Sequence, residues 1–147
     1  MANFVNKIGW SLVIVVMATG CVTNSLSHIE FIALPEANQQ KPTAIDLVFV
    51  YDQALAQQIK SLTGKQWFSQ RSAFISTYAA AIDTVSMELV PGMNTDSVSL
   101  PSKHASSVGV FVFANFIQPG KDKVILTDIS SVRITILEND LEIYPAQ

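Results

Sequence analysis

The pattern of hydrophobic and polar positions divides the chain into an apolar N-terminal run and a longer part made of short periodic segments. Ile8 to Ala18 is almost entirely apolar, and Lys7 is the only charge before Glu30. A membrane-spanning helix needs about 20 apolar residues, so this run is too short, whereas a basic start followed by a short apolar run is typical of an export signal. Residues 1–20 are therefore predicted to be a signal peptide.

After residue 27, apolar and polar positions alternate with the period of a β-strand. Thr43–Tyr51 is the clearest case, because Ile45, Leu47 and Phe49 share one face. A second segment, Ser107–Phe116, is apolar on both faces, so we expect a central strand that is covered on both sides. The other predicted strands are His28–Leu34, Thr84–Val90, Ser97–Leu100, Val124–Thr127, Ser131–Leu137 and Leu141–Tyr144.

Between the second and third strands the period changes to that of a helix. Gln53–Leu62 has helical spacing and is followed by Thr63-Gly64 as a stop, and Trp67–Ala81 is predicted to be a second helix. A helical insertion is therefore expected at about residues 53–81. Trp67 and Phe68 within it either pack the insertion onto the strands or lie exposed as an anchor for a protein partner.

Seven or eight short strands separated by turns predict a mainly β fold, a two-sheet β-sandwich of the immunoglobulin or transthyretin-like kind with the helical insertion after the second strand. Residues 28–147 would form this one domain. An apolar fraction of 49% and a charged fraction of 14% fit a chain that folds around a core and exclude a disordered one. The 9 basic residues are scattered among 12 acidic ones, so nucleic acid is not an expected partner.

Cys21 is the only cysteine and stands where the apolar run ends. The stretch Ala18-Thr19-Gly20-Cys21 resembles a bacterial lipobox, in which the sulfur receives a diacylglyceryl group and the chain is cut before the cysteine. Cys21 is therefore predicted to be the lipid attachment site, with residues 21–27 as the acylated cysteine and a tether that reaches about 20 Å. The alternative is an incidental thiol near an ordinary cleavage site. An aspartate directly after a lipidated cysteine favours retention in the inner membrane. Residue 22 is a valine, so we expect sorting to the outer membrane.

The residues that could carry catalysis or bind a metal do not form a recognisable set. His104 lies in a loop with Ser102, Ser106 and Ser107, but the chain has no G-x-S-x-G motif. The acidic residues between 138 and 142 lack the spacing of a calcium loop and are more typical of a protected sheet edge. We therefore expect no enzymatic activity, no cofactor, no metal and no small-molecule substrate.

The order of these features resembles that of TssJ, the outer-membrane lipoprotein of bacterial type VI secretion systems. The resemblance rests on the lipidated cysteine, the two strands followed by a helical insertion, and three short motifs. These motifs are Leu89-Val90-Pro91-Gly92, Leu100-Pro101 and Val108-Gly109-Val110-Phe111. The family is a small β-sandwich with added helices, and it binds the periplasmic end of the inner-membrane protein TssM. The resemblance thus implies a non-catalytic lipoprotein, anchored in the outer membrane and facing the periplasm, which ties a secretion complex to that membrane.

In this family the loop between the first two strands contributes to TssM binding. Its counterpart here consists of Glu36, Ala37, Asn38, Gln39, Gln40, Lys41 and Pro42. Loops at one end of a rigid sandwich commonly carry binding surfaces, although an ordinary surface connection is equally compatible with the residues.

Two alternative functions stay open. One is a ligand-binding or inhibitory envelope lipoprotein with a pocket lined by Phe74, Tyr78 or Phe113, and the other is a pilotin or assembly factor of another secretion machine.

Overall fold

The computed structural model describes residues 24–146, so the predicted signal peptide and Cys21 lie outside the described residues. Within this range the chain forms seven β-strands and two α-helices. The strands are β1 (His28–Ala33), β2 (Thr43–Val50), β3 (Ile82–Leu89), β4 (Gly109–Ala114), β5 (Lys123–Ile125), β6 (Ser131–Ile136) and β7 (Leu141–Pro145). The helices are α1 (Gln53–Lys60) and α2 (Gly64–Thr77). Neither helix in residues 24–146 is long and apolar enough to cross a membrane.

The strands form two sheets, which confirms the predicted mainly β sandwich with its helical insertion after the second strand. One sheet has three strands in the order β1-β6-β7, and the other has four in the order β3-β2-β4-β5. All neighbours are antiparallel except β1 and β6, which run parallel from His28 beside Ser131 to Ala33 beside Ile136.

The inner faces of the two sheets bury a continuous apolar core. The alternation predicted for β2 places Ile45, Leu47 and Phe49 in this core, opposite β1 and β6 residues such as Phe31 and Ile134. Because buried apolar surface stabilises a fold by about 25 cal/mol per Å², this layer supplies most of the driving force for folding. Residues 24–146 contain no cysteine, so this core and not a disulfide holds the two sheets together within the described range.

The outer face of the four-stranded sheet is covered by α1 and α2. Val48 of β2 and Phe111 and Phe113 of β4 form a second apolar cluster with the helices. As predicted, β4 is a central strand that is buried on both faces. Trp67 is fully buried and stacks on Phe113 at 5.2 Å between ring centroids, so its predicted packing role is confirmed and it is not an exposed anchor.

Helix α2 begins and ends earlier than the predicted Trp67–Ala81. Thr63 caps it: the Thr63 hydroxyl accepts the amide of Gln66 at 3.2 Å, and the Gln66 side chain accepts the amide of Thr63 at 2.9 Å. The pair is a capping box, which satisfies amides that the first helical turn leaves free. Thr63-Gly64, expected to stop one helix, therefore also starts the next.

The strand predicted at Ser97–Leu100 is wrong. This part of the chain runs beside β1 but forms only scattered backbone hydrogen bonds with it, from Thr95 to the carbonyl of Phe31 and from Val98 to the carbonyl of Ile29, both 2.9 Å. One isolated bridge joins Ile32 and Asn94. The segment covers the edge of β1 without the regular ladder of a strand.

Part of the predicted tether is bound to the domain. The amide of Asn24 donates to the carbonyl of Ala105 at 2.9 Å, and its side chain donates to the hydroxyl of Ser107 at 3.1 Å. Leu26 is buried in the core, and Ser27 donates to the carbonyl of Ser130. Residues 24–27 are thus held against the sandwich, and they do not extend from it as a free linker.

Candidate functional site

The strand directions place different groups of loops at the two ends of the sandwich. At one end, which we call the loop pole, strands β1, β3, β4 and β6 finish and strands β2, β5 and β7 begin. The loop pole consists of residues 34–42, 60–65, 90–93, 115–122 and 137–140. The opposite end, the anchor pole, consists of residues 51–52, 78–81, 101–108 and 126–130 and holds Asn24.

The predicted partner-binding segment, Glu36–Pro42, lies at the loop pole and contains a turn of left-handed backbone. Asn38, Gln39 and Gln40 have φ angles of 46°, 56° and 61°, although none of them is glycine. A left-handed conformation costs an L-residue about 1–2 kcal/mol, so three in succession persist only if the surroundings hold them. The segment is therefore a rigid, specifically shaped loop.

Asn38 supplies much of this support, because it is only 2% exposed and both polar atoms of its side chain are hydrogen-bonded. Its Oδ1 accepts the amide of Ile117 at 2.8 Å, and its Nδ2 donates to the carbonyl of Pro42 at 3.0 Å. Its own amide donates to the carbonyl of Leu137 at 3.2 Å. Asparagine also tolerates the left-handed region better than most residues. One residue thus joins the turn to the loops that follow β4 and β6.

The loops after β4 and β6 are also joined to each other. The amide of Lys121 donates to Oδ1 of Asp140 at 2.6 Å, and the Asn139 side chain donates to the carbonyl of Pro119 at 3.0 Å. A depression of about 260 Å³ lies beside this contact, lined by Thr63, Lys65, Phe116, Ile117, Gln118, Pro119, Gly120 and Asp122. The loop pole is consequently one connected surface.

Three large apolar side chains are exposed at the loop pole. Val90 is 51% exposed, Met93 44% and Ile117 55%. Val90 and Met93 flank the Pro91-Gly92 turn on one side of the left-handed turn, and Ile117 lies on the other side. Apolar residues that are exposed together and framed by polar ones are typical of protein-binding surfaces.

A buried carboxylate fixes α2 on the sheet, and no sequence motif predicts it. Asp46 on β2 accepts the indole Nε1–H of Trp67 at 2.8 Å and the hydroxyl of Ser86 at 2.7 Å. Arg71 pairs with the same carboxylate at 3.1 Å and lies over the ring of Phe68. The available signal was Asp46 itself, a charge on the face that β2 otherwise fills with Val48 and Val50. The cluster positions the helical insertion, and both carboxylate oxygens of Asp46 accept hydrogen bonds within it.

The anchor pole contains a second polar cluster around Tyr51. The hydroxyl of Tyr51 donates to Asp83 at 2.7 Å, and Lys103 lies 4.8 Å from the centre of its ring. Burial, the hydrogen bond to Asp83 and the charge of Asp83 all raise the pKa of Tyr51 above its usual value. The hydroxyl therefore stays protonated at neutral pH and acts as a fixed donor.

His104 and its neighbouring serines are used in local structure. The imidazole Nδ1 of His104 is 2.9 Å from the carbonyl of Pro101. The hydroxyls of Ser106 and Ser107 donate to the carbonyls of Lys103 and His104 at 2.8 and 2.7 Å. Both serines are thus bound to the backbone, and neither hydroxyl contacts the imidazole.

Two of the three acidic residues between 138 and 142 are likewise hydrogen-bonded within the domain. Asp140 binds the amide of Lys121, and Glu142 accepts the hydroxyl of Tyr144. That hydrogen bond and the charge of Glu142 raise the pKa of Tyr144. Within residues 24–146 no group of three or more acidic, histidine or cysteine side chains is placed to hold a metal ion.

The residues proposed for a ligand pocket do not line one cavity. Phe113 is fully buried beneath Trp67. Phe74 and Tyr78 border an open depression of about 200 Å³ on the outer side of α2, together with Gln70, Ala73 and Thr77. Small-molecule sites are usually clefts of about 300–1,000 Å³ that enclose the ligand, so this depression does not support the ligand-binding alternative.

No protein-family model and no curated protein matches the sequence. Solved structures do match. The membrane-bound type VI secretion component Lip from Serratia marcescens superposes with a TM-score of 0.64 at 14% identity, covering 84% of this chain and 99% of that one. The type VI secretion lipoprotein TssJ1 from Pseudomonas aeruginosa gives 0.61 at 15% identity, covering 82% and 95%.

A chain in the structure of the type VI secretion protein TssM C-terminal domain from EAEC also matches, with a TM-score of 0.61 at 17% identity, covering 81% of this chain and 97% of that one. At these identities the likeness establishes the fold. The resemblance to TssJ that the sequence predicts is therefore confirmed at the level of the fold, over most of the described residues.

Proposed function

We propose that this chain is a non-catalytic lipoprotein that anchors a type VI secretion membrane complex. In this proposal Cys21 carries the lipid, the sandwich faces the periplasm from the outer membrane, and the loop pole binds the periplasmic domain of a TssM-like inner-membrane protein. The fold shared with TssJ1 and Lip supports the assignment.

The observation that carries the proposal is the opposite placement of the chain's start and its rigid loop. Asn24, three residues after Cys21, is bound at the anchor pole. The segment Glu36–Pro42 is at the other end of the sandwich, because β1 crosses the full length of the domain between them. A lipid at Cys21 would therefore hold the anchor pole at the membrane and leave the loop pole free to meet a partner.

The shape of the loop pole suits protein recognition. A flexible loop loses conformational entropy when it binds, and that loss weakens the affinity. Here the turn at Asn38 is already held by three hydrogen bonds to neighbouring parts of the chain. Binding would then need little further ordering of the backbone.

The apolar side chains beside the turn supply the contact. Val90, Met93 and Ile117 are each close to half exposed or more, and burying the remaining exposed half of each against a partner is worth about 1 kcal/mol. Binding energy at protein interfaces is concentrated in a few such central residues. Ile117 is the strongest candidate, because it is the most exposed and is hydrogen-bonded to Asn38.

The lipid would contribute by restricting the domain to one surface. Two or three acyl chains hold a protein on a membrane firmly, whereas one chain binds only marginally. A domain confined in this way meets a partner at a high effective concentration, so a modest intrinsic affinity is sufficient. The mechanism is mechanical and needs no reactive group.

Co-purification from detergent-solubilised envelopes tests the proposal. We expect the wild-type protein to carry the mass of an acylated Cys21 and to bring down a large inner-membrane protein with a periplasmic domain. The Cys21→Ser protein is expected to lose the acyl mass and the outer-membrane location, and bacteria that carry it are expected to lose type VI secretion. Recovery of the wild-type protein alone, without acyl groups, would contradict the proposal.

A further inference from the structure

All three tyrosines of the chain lie at or near the anchor pole, although they come from distant parts of the sequence. Tyr51 directly follows β2, Tyr78 directly follows α2, and Tyr144 is the penultimate residue of β7. Tyr78 is 39% exposed and Tyr144 46% exposed, whereas Tyr51 is half-buried and bonded to Asp83. Tyr78 and Tyr144 belong to the two opposite outer faces of the sandwich and so flank the pole.

The anchor pole must lie close to whatever Cys21 is attached to. Asn24 is hydrogen-bonded to Ala105 and Ser107, and only three peptide units separate it from Cys21. At about 3.3–3.6 Å per residue, those units span at most about 11 Å. An acylated Cys21 would therefore bring the bilayer surface to within that distance of Asn24.

This pole exposes aromatic and aliphatic side chains beside polar ones. A groove of about 330 Å³ runs along the end of β6 and β7; its apolar lining is Ile129, Val132, Ile143, Tyr144 and Pro145, and its polar lining is Asp128, Ser130 and Ser131. Ile143 is 36% exposed. Tyrosine has an apolar ring and a polar hydroxyl, and it concentrates where hydrocarbon meets water.

The lysines have the opposite distribution. Five of the six lysines in the described range, all except Lys103, lie at or next to the loop pole: Lys41, Lys60, Lys65, Lys121 and Lys123. A surface that is drawn to a membrane by anionic headgroups carries clustered lysine or arginine. The anchor pole has no such cluster among the described residues, so the membrane contact expected of it is made by its tyrosine rings and the apolar residues of its groove.

We propose that the anchor pole is a bilayer-contact surface in which Tyr78 and Tyr144 enter the lipid interface. The proposal rests on the proposed attachment of the chain to lipid at Cys21. It adds that the domain stands upright on the membrane, with its loop pole directed away from the bilayer, and does not swing freely on its lipid.

The test uses the mature chain from Cys21 to Gln147, with Cys21 coupled through its thiol to a maleimide phospholipid in vesicles of phosphatidylethanolamine and phosphatidylglycerol. Trp67 is the only tryptophan after Cys21 and is fully buried, so its emission is a constant background. Tyr78→Trp and Tyr144→Trp each add a reporter at the anchor pole, and Gln118→Trp adds a matched exposed reporter at the loop pole. Each variant is measured in vesicles with and without brominated acyl chains, which quench tryptophan on contact.

We expect brominated lipid to reduce the added emission of Tyr78→Trp and Tyr144→Trp and to leave that of Gln118→Trp unchanged. The loss should persist in about 0.5 M salt, which screens charge–charge attraction. Equal emission with and without bromine at both tyrosine positions, the same loss at position 118, or a loss that salt abolishes would each overturn the proposal. Because the coupling is chemical, the result does not depend on whether the native Cys21 is acylated, which the mass of the protein from envelopes decides separately.

Discussion

The backbone amide of Ile117 donates a hydrogen bond of 2.8 Å to the side-chain oxygen of Asn38, a residue 79 positions earlier in the chain. This bond joins the most exposed aliphatic residue of the loop pole to the left-handed turn of the segment Glu36–Pro42. The turn therefore determines where Ile117 is presented. We therefore expect the proposed binding surface to depend on this contact, which joins the two loops.

Replacing Asn38 tests this dependence. Asn38→Ala removes the acceptor for the amide of Ile117 and the donor to the carbonyl of Pro42, and we expect a loss of about 2 kcal/mol in the free energy of unfolding. Urea denaturation measures it. Gln39→Ala is the matched control, since Gln39 is also left-handed but exposed, and its truncation should change stability by no more than about 0.5 kcal/mol. Equal effects of the two substitutions would show that Asn38 does not hold the turn.

The buried carboxylate of Asp46 gives a second prediction. Asp46→Ala leaves the indole N–H of Trp67 and the guanidinium of Arg71 without their partner, so unfolding should become easier by about 3 kcal/mol or more. Ser86→Ala removes one hydroxyl from the same carboxylate and should cost only about 1 kcal/mol. The unfolding midpoint in urea, followed by the emission of Trp67, measures both. A change below about 1 kcal/mol for Asp46→Ala would mean that the cluster does not fix α2.

Replacing Gly64 at the start of α2 with alanine is expected to destabilise the domain. A methyl group there would lie 2.5 Å from the carbonyl oxygen of Ala114 and 2.8 Å from that of Asp122. Glycine to alanine in a helix ordinarily stabilises by about 0.5–1 kcal/mol, but this clash should reverse the sign and cost about 1–3 kcal/mol. Thermal and urea unfolding of Gly64→Ala measure it, with Lys65→Ala as the neighbouring control. A stabilised Gly64→Ala protein would contradict the close packing of α2 on β4.

The stability of the domain should fall at high pH through Tyr51. Its pKa is raised in the folded state, first by burial and then by the hydrogen bond and charge of Asp83. The folded protein therefore keeps a proton that the unfolded chain begins to lose near pH 10, so the contribution is complete below that pH and declines above it. Tyr51→Phe should flatten the fall in urea stability between about pH 9.5 and 11. A fall of the same slope in both proteins would assign it to other groups.

Much of the fold was predictable because burial follows a period of two along the strands. The alternation of Ile45, Leu47 and Phe49 identified β2. Apolar residues on both faces identified β4, which lies between two neighbours in its sheet and is buried on both sides. The strand predicted at Ser97–Leu100 was wrong for a different reason. Its alternating residues do cover the edge of β1, but irregular hydrogen bonds replace a ladder, and no periodicity distinguishes the two arrangements.

The candidate site was predictable only in its position along the chain. A polar segment after Leu34 indicates a loop, but the left-handed turn depends on what Asn38 contacts, and Ile117 and Leu137 are remote in sequence. The parallel pairing of β1 with β6 is non-local in the same way. The division into two poles follows from these pairings, so it could not be read from local pattern alone.

The decisive measurement is the affinity of the mature domain for the periplasmic domain of the TssM-like protein from the same bacterium, by titration calorimetry. Ile117→Ser at the loop pole is compared with Ile75→Ser, the same change at a residue of α2 that is 38% exposed. We expect Ile117→Ser to weaken binding by about tenfold, as for a central interface residue, and Ile75→Ser to bind like the wild type. Equal affinities for all three proteins, or a loss confined to Ile75→Ser, would contradict the assignment of the loop pole as the partner-binding surface.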